Sequence, residues 1–197
     1  MISHKKFESI KEKYGWCSSW AIWADAGGKP KSNMGDLRVF DIKHNPGLLE
    51  QLNPEIILVG LNISRGPMQN PLANFHDPRP EAMDFKIRYA LRGSPFWGAY
   101  MTDIIKDFDQ KVSGKVRSYL RTHKQFEIEN VELFQEEINH LGTRDPTIIA
   151  FGNVVHEILV RNLTDGYRIL KIPHYSIYCS KEKYRENVGR ILQYESY

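Results

Sequence analysis

Four short apolar runs, separated by segments of helical periodicity, constrain the fold more than any other feature of this sequence. The runs are rich in β-branched residues, which favours strands, and they cover residues 56–60, 99–105, 147–152 and 167–172. Helical patterns occupy residues 81–91, 129–141, 154–162 and 181–193. Alternation of buried strands and helices is typical of a parallel sheet that is covered by helices on both faces.

We therefore expect an α/β protein, a three-layer α/β/α sandwich with a four-stranded, mainly parallel central sheet. The chain has 197 residues, of which 41% are hydrophobic, and this length suits one domain over residues 1–197. Residues 1–45 are predicted to be a helical extension packed on that domain. Within it, Trp16, Trp20 and Trp23 have the i, i+4, i+7 spacing of one helix stripe, which we interpret as core packing.

Charge and cysteine content limit the classes of partner and cofactor. The formal charge is only +3 and the charged residues are scattered, so any attraction to nucleic acid must come from a local surface. Cys17 and Cys179 lie far apart and form no metal-ligand spacing, so we expect no metal and no cofactor. No run approaches about 20 apolar residues, the length that spans a bilayer, and we expect a cytoplasmic monomer without a membrane contact.

Polar side chains follow the predicted strands at the points where these strands end. Asn62 follows the first strand, Asp103 interrupts the second, and His174 and Ser176 follow the fourth. Because the carboxyl ends of parallel strands meet at one edge of a sheet, where ligands bind, we expect these side chains to form a site. Phe75 lies in the long loop after the first strand, and a loop of that length in a compact domain is usually functional or disordered.

Structural roles are the alternatives for the same residues. Asn62 could cap a strand-to-helix turn, and Asp103 could form a salt bridge with Lys106 or cap the following helix. A single histidine such as His174 is more often a structural residue than a catalyst, although its place at the same sheet edge favours a function.

The segments VGLNISRG, ANFH, AYMTDIIK, IIAFGNVVHEIL and PHYSIYCS together resemble the uracil-DNA glycosylase superfamily, over residues 55–181. The first is similar to the G-(I/L)-N-P motif of the mismatch-specific branch, whose Asn positions the hydrolytic water; that position is Asn62. Phe75 corresponds to a Phe that stacks on the flipped base. The last segment is similar to the H-P-S motif, with His174 in the place of the His that supports the leaving base and Ser176 in the place of the Ser.

The resemblance also implies a base-recognition residue on the second strand. AYMTDIIK is similar to Y-(I/V)-T-N-(V/L)-V-K, whose Asn recognises the base edge, and Asp103 occupies that position. An ionised carboxylate only accepts hydrogen bonds, so Asp103 suits a donor-rich edge, such as the amino group of cytosine or adenine, better than uracil. Ile63 and Tyr175 stand where the two other motifs have Pro.

The implied activity is hydrolysis of the N-glycosidic bond of a damaged or mismatched base in DNA, after that base is flipped out of the stack. DNA, single-stranded or mismatched, is the implied partner, and Ser64, Arg65, Arg79 and Lys181 are the candidate phosphate contacts. Two alternatives remain open at this point. One is a non-catalytic nucleic-acid or nucleotide-binding protein of the same fold, and the other is a hydrolase of small molecules, because fold does not fix function.

Overall fold

The computed structural model describes residues 2–63, 70–106, 108–163 and 166–194. The strands in these residues are β1 Ser18–Trp20, β2 Asn53–Asn62, β3 Ala99–Ile105, β4 Thr147–Phe151 and β5 Arg168–Ile172. The α-helices are α1 His4–Tyr14, α2 Leu48–Gln51, α3 Phe85–Leu91, α4 Ser113–Thr122, α5 Lys124–Leu141, α6 Asn153–Asn162 and α7 Lys181–Leu192, and a 3₁₀ helix covers Leu37–Phe40. All four predicted strands and all four predicted helices are present; the bounds of β3 agree with the prediction, and the other elements have shifted ends.

The five strands form one mixed sheet in the order β1-β3-β2-β4-β5. Strands β2 to β5 are parallel to their neighbours, whereas β1 pairs with β3 in the antiparallel direction. The prediction of a four-stranded sheet is therefore wrong, and the N-terminal segment is not only helical. The fifth strand was missed because it has three residues, and Ser18 and Ser19 give it no apolar pattern although both are fully buried.

Apolar side chains cover both faces of the sheet. Along β2, Ile57 and Val59 join one apolar core while Leu58 joins the other, as expected where successive side chains point to opposite faces. The first core also contains side chains of α1, α4, α5 and α6, and the second contains side chains of α3 and α7. With helices packed on both sides, the edge at which the parallel strands end is where a ligand can approach.

The tryptophan stripe is not helical. Helix α1 ends at Tyr14, Trp20 lies in β1, and Trp23 follows that strand. Trp20 and Trp23 are buried, but Trp16 is 47% exposed. The core interpretation is thus correct for two of the three tryptophans, and the helix is wrong because the strand pairing with β3 overrides the local periodicity.

A buried ion pair supports the carboxyl end of β3. Lys106 Nζ lies 2.6 Å from Glu137 Oε2 on α5, and the two side chains are 3% and 0% exposed. Lys106 Nζ also donates to Thr102 Oγ1 and to the Asp103 carbonyl, both at 2.9 Å, while the Tyr100 hydroxyl donates to Glu137 Oε1 at 2.6 Å. Burial alone would lower the pKa of Lys106, but the adjacent Glu137 carboxylate holds that pKa above its usual value.

In the part of the chain that the structure describes, no helix combines the length and the apolar character needed to cross a membrane.

Candidate functional site

A cavity of about 310 Å³ lies at the carboxyl edge of the parallel strands. Small-molecule sites begin at about 300 Å³, so this volume suits a single nucleobase or nucleoside better than a larger ligand. Four of the site residues predicted from the sequence line it: Asn62, Asp103, His174 and Ser176. The other lining residues are Leu61, Lys111, Ser113, Phe151, Gly152, Asn153, Val154, Val155 and Tyr175.

Asn62 is the last residue of β2, and its side-chain amide is held in one orientation. Its Nδ2 donates to the Phe108 carbonyl at 2.7 Å and to the Gln110 carbonyl at 2.9 Å. Because carbonyl oxygens only accept, these two contacts fix which end of the amide is the nitrogen. Asn62 thus ties the segment after β3 to the cavity wall, and its Oδ1 is the acceptor end.

Asp103 is 4% exposed and lies on β3 opposite Gly60 of β2. Its Oδ2 accepts a hydrogen bond from Asn74 Nδ2 at 2.9 Å. A methyl group on Gly60 would overlap Asp103 Oδ1 and would lie 3.1 Å from Phe75 Cζ, so only glycine allows the carboxylate and the ring to come so close. The predicted alternative, an Asp103–Lys106 salt bridge, is not what the structure shows, since Lys106 pairs with Glu137.

Phe75 lies behind the cavity rather than in its wall. Its side chain is 2% exposed, and its ring centroid is 6.1 Å from that of Phe151 and 6.4 Å from that of Tyr175. Those two neighbours line the cavity, whereas Phe75 does not. Its backbone has φ +62°, a left-handed conformation that costs a non-glycine residue about 1–2 kcal/mol.

His174 and Ser176 contact each other beside the cavity. His174 Nδ1 accepts from the Ser176 backbone N–H at 3.2 Å and lies 2.8 Å from Ser176 Oγ. A backbone N–H can only donate, so the neutral imidazole carries its proton at Nε2. Burial lowers the pKa of His174 below its ordinary value of 6.5, although the charge of Asp84 opposes this shift. His174 is therefore a neutral donor near pH 7.

The N-terminus of α6 supplies backbone donors to the same cavity. Gly152 precedes the helix with φ +87°, a conformation that favours glycine, and its own N–H donates to the Ile172 carbonyl at 2.9 Å. Asn153, Val154 and Val155 form the first turn and line the cavity. The first N–H groups of a helix have no partner within it, so this wall is partially positive.

None of the four predicted phosphate contacts is described as part of the cavity wall. Ser64 and Arg65 lie outside the described residues. Arg79 forms a bidentate contact with Asp77, in which its Nη2 lies 2.8 Å from Oδ2. Lys181 pairs with Glu182. Neither Arg79 nor Lys181 lines the cavity.

Two residues at or beside the cavity were missed by sequence analysis. Asn74 is 7% exposed; its Nδ2 donates to Asp103 and to the Cys17 carbonyl, and its Oδ1 accepts from the Phe75 N–H. Lys111 lines the cavity. The positions of Asn74 and Lys111 near the predicted site residues can be recognised only once the fold is known.

Among the residues that the structure describes, no group of three or more His, Cys, Asp or Glu side chains is placed to hold a metal ion. Comparisons with models of known protein families, with curated proteins and with solved structures gave no significant match.

Proposed function

We propose that the protein is a DNA glycosylase-like enzyme of the uracil-DNA glycosylase superfamily, which hydrolyses the N-glycosidic bond of a damaged or mismatched base. The observation that carries the proposal is the convergence of Asn62, Asp103 and His174 on one base-sized cavity. Helices on both faces of a mainly parallel sheet agree with the three-layer α/β/α sandwich of that superfamily. DNA is the proposed partner.

Recognition of the base edge is assigned to Asp103. Its carboxylate offers only acceptors, and Asn74 orients it by donating to Oδ2. A base with an exocyclic amino group would donate to this carboxylate, whereas the O4 carbonyl of uracil would be repelled. The proposed substrate is therefore an amino-bearing base.

Stacking on the flipped base is assigned to Tyr175 rather than to Phe75. Tyr175 lines the cavity, its ring stacks on His174 at 4.3 Å with an interplanar angle of 23°, and Phe75 supports it from behind. Base–aromatic stacking contributes about 1–3 kcal/mol.

Bond cleavage places negative charge on the departing base and positive charge on the sugar. His174 would stabilise the base with its Nε2–H, and the backbone N–H groups of α6 would add to the same field. Asn62 would hold the attacking water at Oδ1, because its Nδ2 is already bound to two carbonyls.

The test is an assay of purified protein on oligonucleotides that carry mispaired adenine, cytosine or guanine, with the deaminated base uracil as the comparison, scored for abasic product. We expect turnover that falls at least about a hundredfold in His174→Ala, the size of the loss when one preorganised donor to a developing negative charge is removed. His4→Ala is the matched control, because His4 lies on α1 away from the cavity. Absence of abasic product on every substrate would refute the glycosylase proposal.

A non-catalytic nucleic-acid-binding protein of the same fold is the second candidate. Two observations favour it: Asn62 uses its amide nitrogen for two structural contacts, and Phe75 is outside the cavity wall. This candidate predicts salt-dependent binding of DNA, with no turnover in either the parent or Asn62→Ala.

A further inference from the structure

The segment 110–126 concentrates the positive charge of the protein. It holds five of the 27 lysines and arginines and none of the 24 acidic residues, so the rest of the chain carries a formal charge of −2. The five cations are Lys111, Lys115, Arg117, Arg121 and Lys124, and all are exposed. The small total charge of +3 thus conceals a strongly basic local surface, which we call the α4 basic face.

Three of the five cations are available for a partner. Arg117 pairs with Glu157 at 2.9 Å, and Lys124 lies 4.0 Å from Glu127. Among the described residues, no carboxylate lies within 4.0 Å of the side-chain nitrogens of Lys111, Lys115 or Arg121. Lys111 also lines the cavity, so the face begins at the candidate site and extends along α4.

The α4 basic face is attached rigidly to the cavity wall. Asn62 donates to the carbonyls of Phe108 and Gln110, immediately before Lys111. The Phe108 ring stacks on Tyr119 of α4, with centroids 4.5 Å apart and an interplanar angle of 23°. A phosphate bound on α4 would therefore be held at a fixed distance from the cavity.

The burial of the apolar side chains of α4 distinguishes between a lipid surface and a nucleic-acid strand as the anionic partner. Basic amphipathic helices bind membranes by inserting their apolar side chains between lipids. Here Val116 and Leu120 are 0% and 1% exposed because they pack in the core beneath the sheet. Apart from Val112 at its N-cap, the helix exposes polar and cationic side chains and no apolar stripe, which suits the spaced phosphates of a nucleic-acid strand better than a lipid surface.

We propose that the α4 basic face binds the phosphate backbone of the DNA strand whose base enters the cavity, through Lys111, Lys115 and Arg121. The inference rests on the proposed function for the identity of the partner. It adds the path of the strand, which runs from the cavity mouth over the N-terminal half of α4 and along that helix.

The experiment measures binding of a fluorescent single-stranded oligonucleotide over a salt series. In the triple variant Lys111→Gln/Lys115→Gln/Arg121→Gln, each lost phosphate contact should reduce the slope of log K against log salt by about 0.7 to 1, so the total change is about 2 to 3. The control is Lys5→Gln/Lys29→Gln/Lys43→Gln, which removes the same charge from exposed lysines outside the cavity and should change the slope by less than one contact.

The outcomes test DNA binding by the α4 basic face independently of glycosylase activity. A reduced slope in the triple variant alone supports the α4 basic face, whether or not abasic product forms in the glycosylase assay. Equal slopes in the parent and the triple variant, or equal changes in both triple variants, overturn it even if the protein is an active glycosylase. Binding to phosphatidylserine vesicles that the triple variant loses, without binding to the oligonucleotide, would assign the face to a membrane and overturn the proposal.

Discussion

At the scale of single residues, Asn74 joins three separate segments at the cavity. Its Nδ2 donates to the Cys17 carbonyl before β1 and to Asp103 on β3, and its Oδ1 accepts from the Phe75 N–H. An aspartate there would lose both donors and place a second carboxylate beside Asp103. The orientation of the proposed recognition group therefore depends on an amide that the sequence motifs do not include.

His174 gives the stability of the protein a defined pH dependence. Because burial lowers its pKa in the folded state below 6.5, the unfolded chain binds more protons as the pH falls through this range. The free energy of unfolding should thus be constant above pH 6.5 as far as His174 is concerned, and should fall as the pH drops below 6.5 toward the folded-state pKa. Urea unfolding at a series of pH values measures this slope.

His174→Asn is the informative variant for that experiment, since its side-chain oxygen can replace Nδ1 as the acceptor for Ser176 but does not titrate. We expect it to flatten the slope below pH 6.5. His140, whose pKa is also lowered by burial, contributes in the same direction, so His140→Gln provides the comparison. An unchanged slope in His174→Asn would contradict the assignment of a neutral, half-buried His174.

At the scale of elements, strand β2 brings a glycine to the one point where Asp103 and Phe75 meet. Gly60→Ala should displace the carboxylate, because the added methyl group overlaps Oδ1 and crowds the Phe75 ring. Overpacking of this kind costs about 1–3 kcal/mol of unfolding free energy. Thermal unfolding measures that loss, and the oligonucleotide assay measures the loss of turnover.

Gly114→Ala is the control for Gly60→Ala. Gly114 lies in α4, and a methyl group there meets no atom within 4 Å. We expect this variant to be as stable as the parent or more stable, by up to about 1 kcal/mol, because alanine favours helix. Equal effects of the two substitutions would show that the contact at Gly60 does not matter.

The elements that could be predicted from the sequence are those whose pattern is continuous. β3 was predicted to the residue, since all seven of its positions are buried and only Thr102 and Asp103 interrupt its apolar run. β1 and α4 were missed for opposite reasons: β1 is buried but contains two serines, whereas α4 is largely exposed and buries only Val116 and Leu120. In both cases the neighbouring elements, not the local sequence, determine the structure.

The candidate site, like the fold, could be predicted only in part from the sequence. Asn62, Asp103 and His174 follow strands, and parallel topology brings strand ends together. The sequence could not show that Tyr175 rather than Phe75 faces the cavity, because this depends on a left-handed residue and on packing between two loops.

At the scale of the whole molecule, the Lys106–Glu137 pair connects the sheet with α5. Removal of one charge leaves the other buried without its partner, which costs about 3–5 kcal/mol. Lys106→Met and Glu137→Gln should each lower the free energy of unfolding by an amount in this range. The double variant should lose less than either single variant, because neither charge of the pair then remains without its partner and the glutamine oxygen can still accept from Tyr100.

A double-mutant cycle in urea, followed by tryptophan fluorescence, measures the coupling between the two residues. Trp20 and Trp23 are buried and report the loss of the core. Losses that simply add in the double variant would mean that the pair has no mutual stabilisation.

The strand order also determines when β1 can pair during synthesis on the ribosome. β1 precedes the other strands, and within the described residues it pairs with β3 alone, so it cannot pair before residues 99–105 have been made. An unpaired apolar strand would invite aggregation during that interval. Two serines in a three-residue strand reduce this hazard, and so the polarity that hid β1 from sequence analysis also protects the nascent chain.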